Sequence, residues 1–294
     1  MNKIYDTHSD VFSNLYERKL QNKENIFNNY HVTPMQKGEI AGGIWVVYSE
    51  HDFDIHEAYK IALNEFEPFK NQYDVVYGLE GLRNVLTLED FDKLYNIGVR
   101  HASLTWNEEN HLATGVAGEK ERGLTNLGKE FLDYMMQKKM IIDVSHLNVK
   151  SFYDVLDYAN KNIIASHSNA YSLSDHRRNL NDDQLRKLRE VGGYVGAVSA
   201  RNFVSKDPSK QNCKGIADQI IYLAEHIGID HVMLGLDIMD YLGDYEGHNS
   251  NLDDLKGHGD SQNLIRELLN RSLTAEEVEM IAYKNFIRLK KGIE

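Results

Sequence analysis

Short apolar runs rich in β-forming residues alternate with longer stretches of helical spacing along almost the whole chain. This alternation limits the fold more than any other feature. The β-type runs fall at residues 3–7, 42–48, 74–78, 99–105, 140–144, 162–165, 193–198 and 231–236. Between many of them, apolar residues recur at steps of three and four; across 55–71 the stripe is Ile55, Ala58, Tyr59, Ala62, Leu63, Phe66 and Phe69. Residues 127–139, 149–160, 182–191, 216–227 and 262–270 have the same spacing. Thr274 followed by Glu277 is a capping-box pattern that opens a last helix to about residue 290. Strands separated by helices pair in parallel through right-handed crossovers. Eight strand candidates in 294 residues therefore predict an α/β fold, a (β/α)8 TIM-type barrel forming a single domain over 1–294. No glycine-rich phosphate-binding motif follows any strand, which argues against an open nucleotide-binding sheet.

Composition narrows the function classes. The 33 Lys and Arg against 45 Asp and Glu give a formal net charge of −12, a poor match for nucleic acid or an anionic membrane surface. The lone Cys213 excludes an intrachain disulfide framework and a Cys-based zinc site. The longest apolar runs, such as residues 40–48, are far shorter than the roughly 20 residues of a spanning helix. Neither end carries a signal-peptide or lipid-anchor pattern, so the expectation is a soluble, cytoplasmic protein.

A barrel enzyme does its chemistry at the C-terminal ends of the strands. Five of the eight candidate strands end in potential metal ligands: His8 and Asp10 after the first, Glu80 after the third, His146 after the fifth, His167 after the sixth and Asp237 after the eighth. His8 and Asp10 are two residues apart, so in extended chain they point to the same side and can reach one ion. Imidazole and carboxylate together suit zinc or a related divalent cation. Taken singly, each has a plainer reading, as a hydrogen-bonded strand-end histidine or a solvated carboxylate; the metal reading rests on all of them ending different strands. His31, His51, His56, His226, His231 and His248 have no such partner and are assigned to surface or structural roles. The second His-x-Asp, His258-Gly259-Asp260, lies between glycines with no preceding strand and is assigned to loop. The acidic run 52–57 is read as a solvated face.

Several longer motifs resemble the membrane (renal) dipeptidases, the zinc dipeptidase branch of the amidohydrolase superfamily. Asp6-Thr7-His8-Ser9-Asp10 is similar to the family's Asp-Gly-His-Asn-Asp, and Gly78-Leu79-Glu80-Gly81 to its Ile-Glu-Gly segment. The most distinctive block is Gly123-Leu124-Thr125-Asn126-Leu127-Gly128 followed by Ile141-Ile142-Asp143-Val144-Ser145-His146. Ser166-His167-Ser168-Asn169-Ala170, then Arg177-Arg178-Asn179-Leu180-Asn181-Asp182, and Gly235-Leu236-Asp237 extend the likeness from residue 6 to about residue 289.

The resemblance implies two zinc ions, one on His8 and Asp10, the other on His146 and His167, with Glu80 bridging both. It implies hydrolysis of a small dipeptide by metal-bound hydroxide. Glu80 and Asp237 would then be catalytic, Asp237 relaying a proton to the leaving amine, and Arg178 would engage the substrate carboxylate or the developing oxyanion. A homodimer is the assembly it suggests. The chain also departs from the family pattern. Leu104-Thr105 is followed by Trp106-Asn107 where many members have a histidine that contacts substrate, so Trp106 and Asn107 become substrate-contact candidates, with His111 a further possible donor. The aromatic segment after the seventh strand is replaced by Val198-Ser199-Ala200-Arg201, which predicts a pocket altered in shape and charge. Two other readings therefore stay open: a metal-dependent amidohydrolase acting on another amide, lactone or cyclic imide, and a barrel that binds a ligand without turnover.

Overall fold

In the computed structural model, which describes residues 3–49, 53–240, 250–271 and 273–294, eight parallel strands pair in sequence order and close into a barrel. The strands are β1 Ile4–Ser9, β2 Ile40–Tyr48, β3 Asp74–Glu80, β4 Val99–Ser103, β5 Ile141–Asp143, β6 Ile163–Ala165, β7 Tyr194–Ala197 and β8 Val232–Leu234. Asp6 pairs with Leu234 where β1 meets β8 and closes the ring. All eight runs expected from the sequence are strands, as Val, Ile and aromatic residues buried on both faces favour. β1 and β2 approach so closely at Gly43 that a Cβ there would lie 1.8 Å from the Asp6 carbonyl oxygen, so this position requires glycine.

Two apolar layers hold the barrel. The inner layer joins Tyr5, Ile44, Val46, Val76, Ile141, Ile164 and Met233, and Phe286 and Leu289 of the final helix Asn285–Lys291 plug its lower end. The outer layer packs the helices against the strands around Phe12, Trp45, Tyr59, Phe66, Phe131 and Phe152.

Caps set most of the helix starts. Asp54 accepts from the amides of His56 and Glu57 at the head of Ile55–Phe66, so at least this member of the acidic run caps a helix. Thr125, Asn148, Asn181 and Asn212 do the same for Asn126–Gln137, Val149–Tyr158, Asp182–Glu190 and Cys213–Ile227. The expected Thr274–Glu277 capping box is present and starts Ala275–Glu279. The stripe over 55–71 is not one helix: it stops at Phe66 and tightens into a turn over Glu67–Phe69, because Pro68 has no N–H to donate. Helices Val11–Leu20 and Leu88–Asn96 were not anticipated, since charged and polar residues interrupt their apolar stripes. No helix among the described residues is long and apolar enough to cross a membrane.

Candidate metal centre

The C-terminal mouth of the barrel gathers the polar strand ends. His8 is the penultimate residue of β1, and Asp10 follows it at the head of helix Val11–Leu20. Glu80 is the last residue of β3. His146 and His167 lie just past β5 and β6, and Asp237 just past β8. His146 (φ 70°) and Asp237 (φ 50°) are both in the left-handed region, which His and Asp tolerate better than bulky residues do. Each such turn stores strain of about 1 kcal/mol or more, so the surrounding packing must hold it in place.

Glu80 Oε1 is the focus of the centre. His146 Nε2 lies 2.9 Å from it, His8 Nε2 3.4 Å and His167 Nε2 3.5 Å. His146 Nε2 and His167 Nε2 are 2.8 Å apart, and Asp10 Oδ2 is 3.9 Å from His8 Nε2. Ligand atoms of His8, Glu80 and His167 lie within 4.8 Å of one another, as do those of His8, Asp10 and Asp237. His8, Asp10, Glu80, His146 and His167 are all buried, at 6% exposure or less.

So many titratable groups perturb each other strongly. Burial opposes ionisation of Glu80, yet His8 and His146 hold its carboxyl well below the usual range. Burial alone would lower the His8 pKa, but Glu80, Asp237 and Asp10 lift it to about 10. Burial and then Arg178 push His146 down to about 4, and His167 is depressed further by burial, His8 and Arg178. Burial and neighbouring carboxylates raise Asp10 and Asp237. His8 Nε2 is buried, points into the cluster and makes no hydrogen bond among the described residues. A divalent cation would satisfy that orphaned nitrogen and bring the converging lone pairs together without a shared proton, so the imidazole–carboxylate donor set fits zinc.

The remaining candidates surround this centre. Asn107 Oδ1 is 3.0 Å from His146 Nδ1, so it supports the His146 ring from behind. The Trp106 ring stands 5.9 Å from the His146 ring and edge-on to Tyr48 at 5.3 Å, forming a wall. Arg178 is buried, reaches the His167 carbonyl at 3.5 Å and lies 5.7 Å from the Phe203 ring. Beside His146 and Arg178 opens a cleft of about 870 Å³, bordered also by Lys120, Tyr153, Tyr171 and Arg177.

Some residues fall elsewhere. His111 Nε2 is 3.0 Å from the Val85 carbonyl, where it braces a loop. Arg201 contacts Gln211, the Asn251 carbonyl and Asp253, so it ties residues 250–253 to the chain after β7 and its charge is met by a carboxylate. His31 is structural, buried 2.9 Å from Asn14 Oδ1. His258 lies outside the strands, in a short turn, and is buried there against Asp6. His51 and His248 lie outside the described residues.

Three residues of the centre escaped sequence reasoning. His101 on β4 and Asp143 on β5 are buried and 3.1 Å apart, and Ser166 lies between Asp143 and the rings of His8 and His167. A signal was available: His101 and Asp143 are polar residues within apolar strands, and a buried polar group needs a partner.

Comparison with known proteins agrees with this geometry. The sequence profile of the membrane dipeptidase family, peptidase family M19, matches residues 64–294. An uncharacterized dipeptidase of Schizosaccharomyces pombe is 33% identical over 227 residues, covering 75% of this chain and 53% of that protein. The dipeptidase tcpJ of Claviceps purpurea is 29% identical over 220 residues, covering 74% of this chain and 50% of its own length. The alignments thus span about half the length of these curated relatives. A metallopeptidase from Rhodobacter sphaeroides, crystallised with a phosphinate mimic of the dipeptide L-Ala-D-Ala, shares the fold with a TM-score of 0.82 at 18% identity, covering 100% of this chain and 99% of that one. With the profile spanning most of its length, the chain belongs to the membrane dipeptidase family, peptidase family M19.

Proposed function

We propose that this protein is a binuclear zinc dipeptidase that hydrolyses the peptide bond of small dipeptides. The observation that carries the reading is the convergence of His8, His146 and His167 Nε2 on one oxygen of Glu80. His8 and Asp10 would hold one ion, His146 and His167 the other, and Glu80 both, its negative charge offsetting the repulsion between two dications. Bound there, a zinc pair supplies Lewis acidity and a nucleophilic water at neutral pH.

The protein's own groups supply the rest. Asp237, half-buried beside His8 with a raised pKa, is suited to take a proton from the nucleophile and deliver it to the leaving amine. Among the described residues the buried Arg178 guanidinium makes one long hydrogen bond, to a backbone carbonyl, which suits its donor fork to the substrate carboxylate. Trp106 walls the centre beside His146, while Asn107 holds the His146 ring. The dipeptide mimic on the R. sphaeroides protein supports a substrate of this size class. A homodimer belongs to the same reading and is measurable by sedimentation.

Zinc titration of metal-stripped protein, combined with a panel of dipeptides, acyl-amino acids and lactones, tests the proposal. Two zinc equivalents with preferential dipeptide hydrolysis are expected. Far less than two equivalents, or a preference for substrates without a free ammonium, overturns it.

A further inference from the structure

His8 and His167 belong to opposite halves of the proposed centre, yet their Nδ1 atoms share a neighbour. Ser166 Oγ lies 2.7 Å from His167 Nδ1 and 3.4 Å from His8 Nδ1, and makes a short contact to Asp143 Oδ2. Ser145 Oγ, 3.4 Å away, is the other polar neighbour and already accepts from the His167 amide.

A hydroxyl has one proton and two acceptor lone pairs, so its orientation follows from its neighbours. Asp143 Oδ1 accepts from the amides of Ser145 (2.9 Å) and Ser166 (3.0 Å), and Oδ2 faces His101 Nε2 at 3.1 Å. Surrounded by donors, this carboxylate accepts the Ser166 proton. The hydroxyl can then only receive from the two imidazoles. We infer that Ser166, oriented by Asp143, is a positioning residue that fixes both His8 and His167 in the Nδ1–H tautomer and so presents both Nε2 lone pairs to the metal centre.

Ser166 has little freedom to do otherwise. Its carbonyl accepts from Thr7 Oγ1 at 2.7 Å, and Gly196 and Gly235 press against the same oxygen, where a Cβ would lie 1.9 Å and 1.7 Å away. The chain at Ser166 is therefore clamped by β1, β7 and the turn after β8, and its side chain is fully buried. Glu80 joins the two halves of the site from the ligand side, and Ser166 joins them from behind.

This inference builds on the zinc reading, but its first test needs no metal. Long-range ¹H–¹⁵N spectra of metal-free, histidine-labelled protein report each tautomer, with His8→Gln and His167→Gln variants assigning the signals. Both rings are expected to carry a proton on Nδ1, His8 in its charged form as well; either ring with a bare Nδ1 overturns the inference whether or not the protein binds zinc. Ser166→Ala, with its fold checked by thermal melting, is expected to give mixed tautomers and to weaken zinc binding about 10–100-fold, the usual effect of losing a group behind a ligand. A folded Ser166→Ala protein with unchanged zinc affinity and unchanged tautomers also overturns it. In Asp143→Asn the two backbone amides keep the side-chain oxygen, so the new NH₂ faces Ser166 and turns its proton onto an imidazole. Zinc stoichiometry is then expected to fall from two to one, and a folded variant that retains two overturns the inference. Failure of the unaltered protein to bind zinc would instead overturn the proposed function and leave the tautomer result standing.

Discussion

His258 Nε2 lies 3.4 Å from Asp6 Oδ2, and both side chains are buried although the residues sit at opposite ends of the chain. The approach is close enough for an ion pair but is not aligned as a hydrogen bond. The other Asp6 oxygen accepts from the amides of His8 (3.2 Å) and Leu236 (2.7 Å). One carboxylate thus fastens the strand bearing His8, the turn bearing Asp237 and the segment after residue 250.

Removing the imidazole leaves this carboxylate buried without its counter-charge. His258→Ala is expected to destabilise the fold by about 3 kcal/mol, the scale for breaking a buried pair from one side. His258→Gln, which keeps a donor, should lose less. Urea unfolding of the three proteins at pH 7 measures both values.

Asp237 and His146 should separate by what they lose. Asp237→Asn is expected to keep two zinc equivalents while turnover falls about 10²–10⁴-fold, as for a lost proton-transfer group. His146→Ala should lose one equivalent. Metal analysis alongside dipeptide turnover checks the pair, and equal metal loss in both would refute the role given to Asp237.

Arg178 should act on the substrate's carboxylate end. Replacing it with Met is expected to cost about 1.5–3 kcal/mol in kcat/KM, the worth of a charge-assisted hydrogen bond, or roughly 10–150-fold. Arg178→Lys should recover only part of this, because an ammonium lacks the planar fork. Dipeptide amides, which lack the carboxylate, should discriminate far less between the variants and the unaltered protein.

Acid should expose His31. Burial, with help from His258 and Arg18, lowers its pKa to about 3. Between the unfolded value near 6.5 and that folded value the unfolded chain binds the extra proton, so stability falls as pH falls, by up to about 1.4 kcal/mol per pH unit. Replacing His31 with Gln should flatten that part of the stability–pH curve. Denaturation midpoints between pH 7 and pH 4 test this, and parallel curves would refute it.

Much of the architecture can be read along the chain. The β-type runs, most of the helices and the Thr274 cap follow from periodicity and capping chemistry, which are local. The polar ends of β1, β3, β5, β6 and β8 were likewise visible, because parallel strands joined by crossovers all bring their C-terminal ends to one rim. Asn107 was legible only as a candidate for substrate contact; its position behind His146 depends on how the chain after β4 folds over β5. Arg201 suggested a change in pocket charge, yet Asp253, far along the chain, meets that charge.

The sequence by itself determined the order of strands and helices and the residue types placed at the strand ends. Tertiary structure alone decided which buried polar groups share a partner: Ser166 with His8, His167 and Asp143, and Asp6 with His258. The physical reason is range. Hydrophobic periodicity and caps act over a few residues, whereas these hydrogen bonds form only once the barrel has closed and its register is set, when burial leaves each polar atom to find its partner among strands that are neighbours only in space.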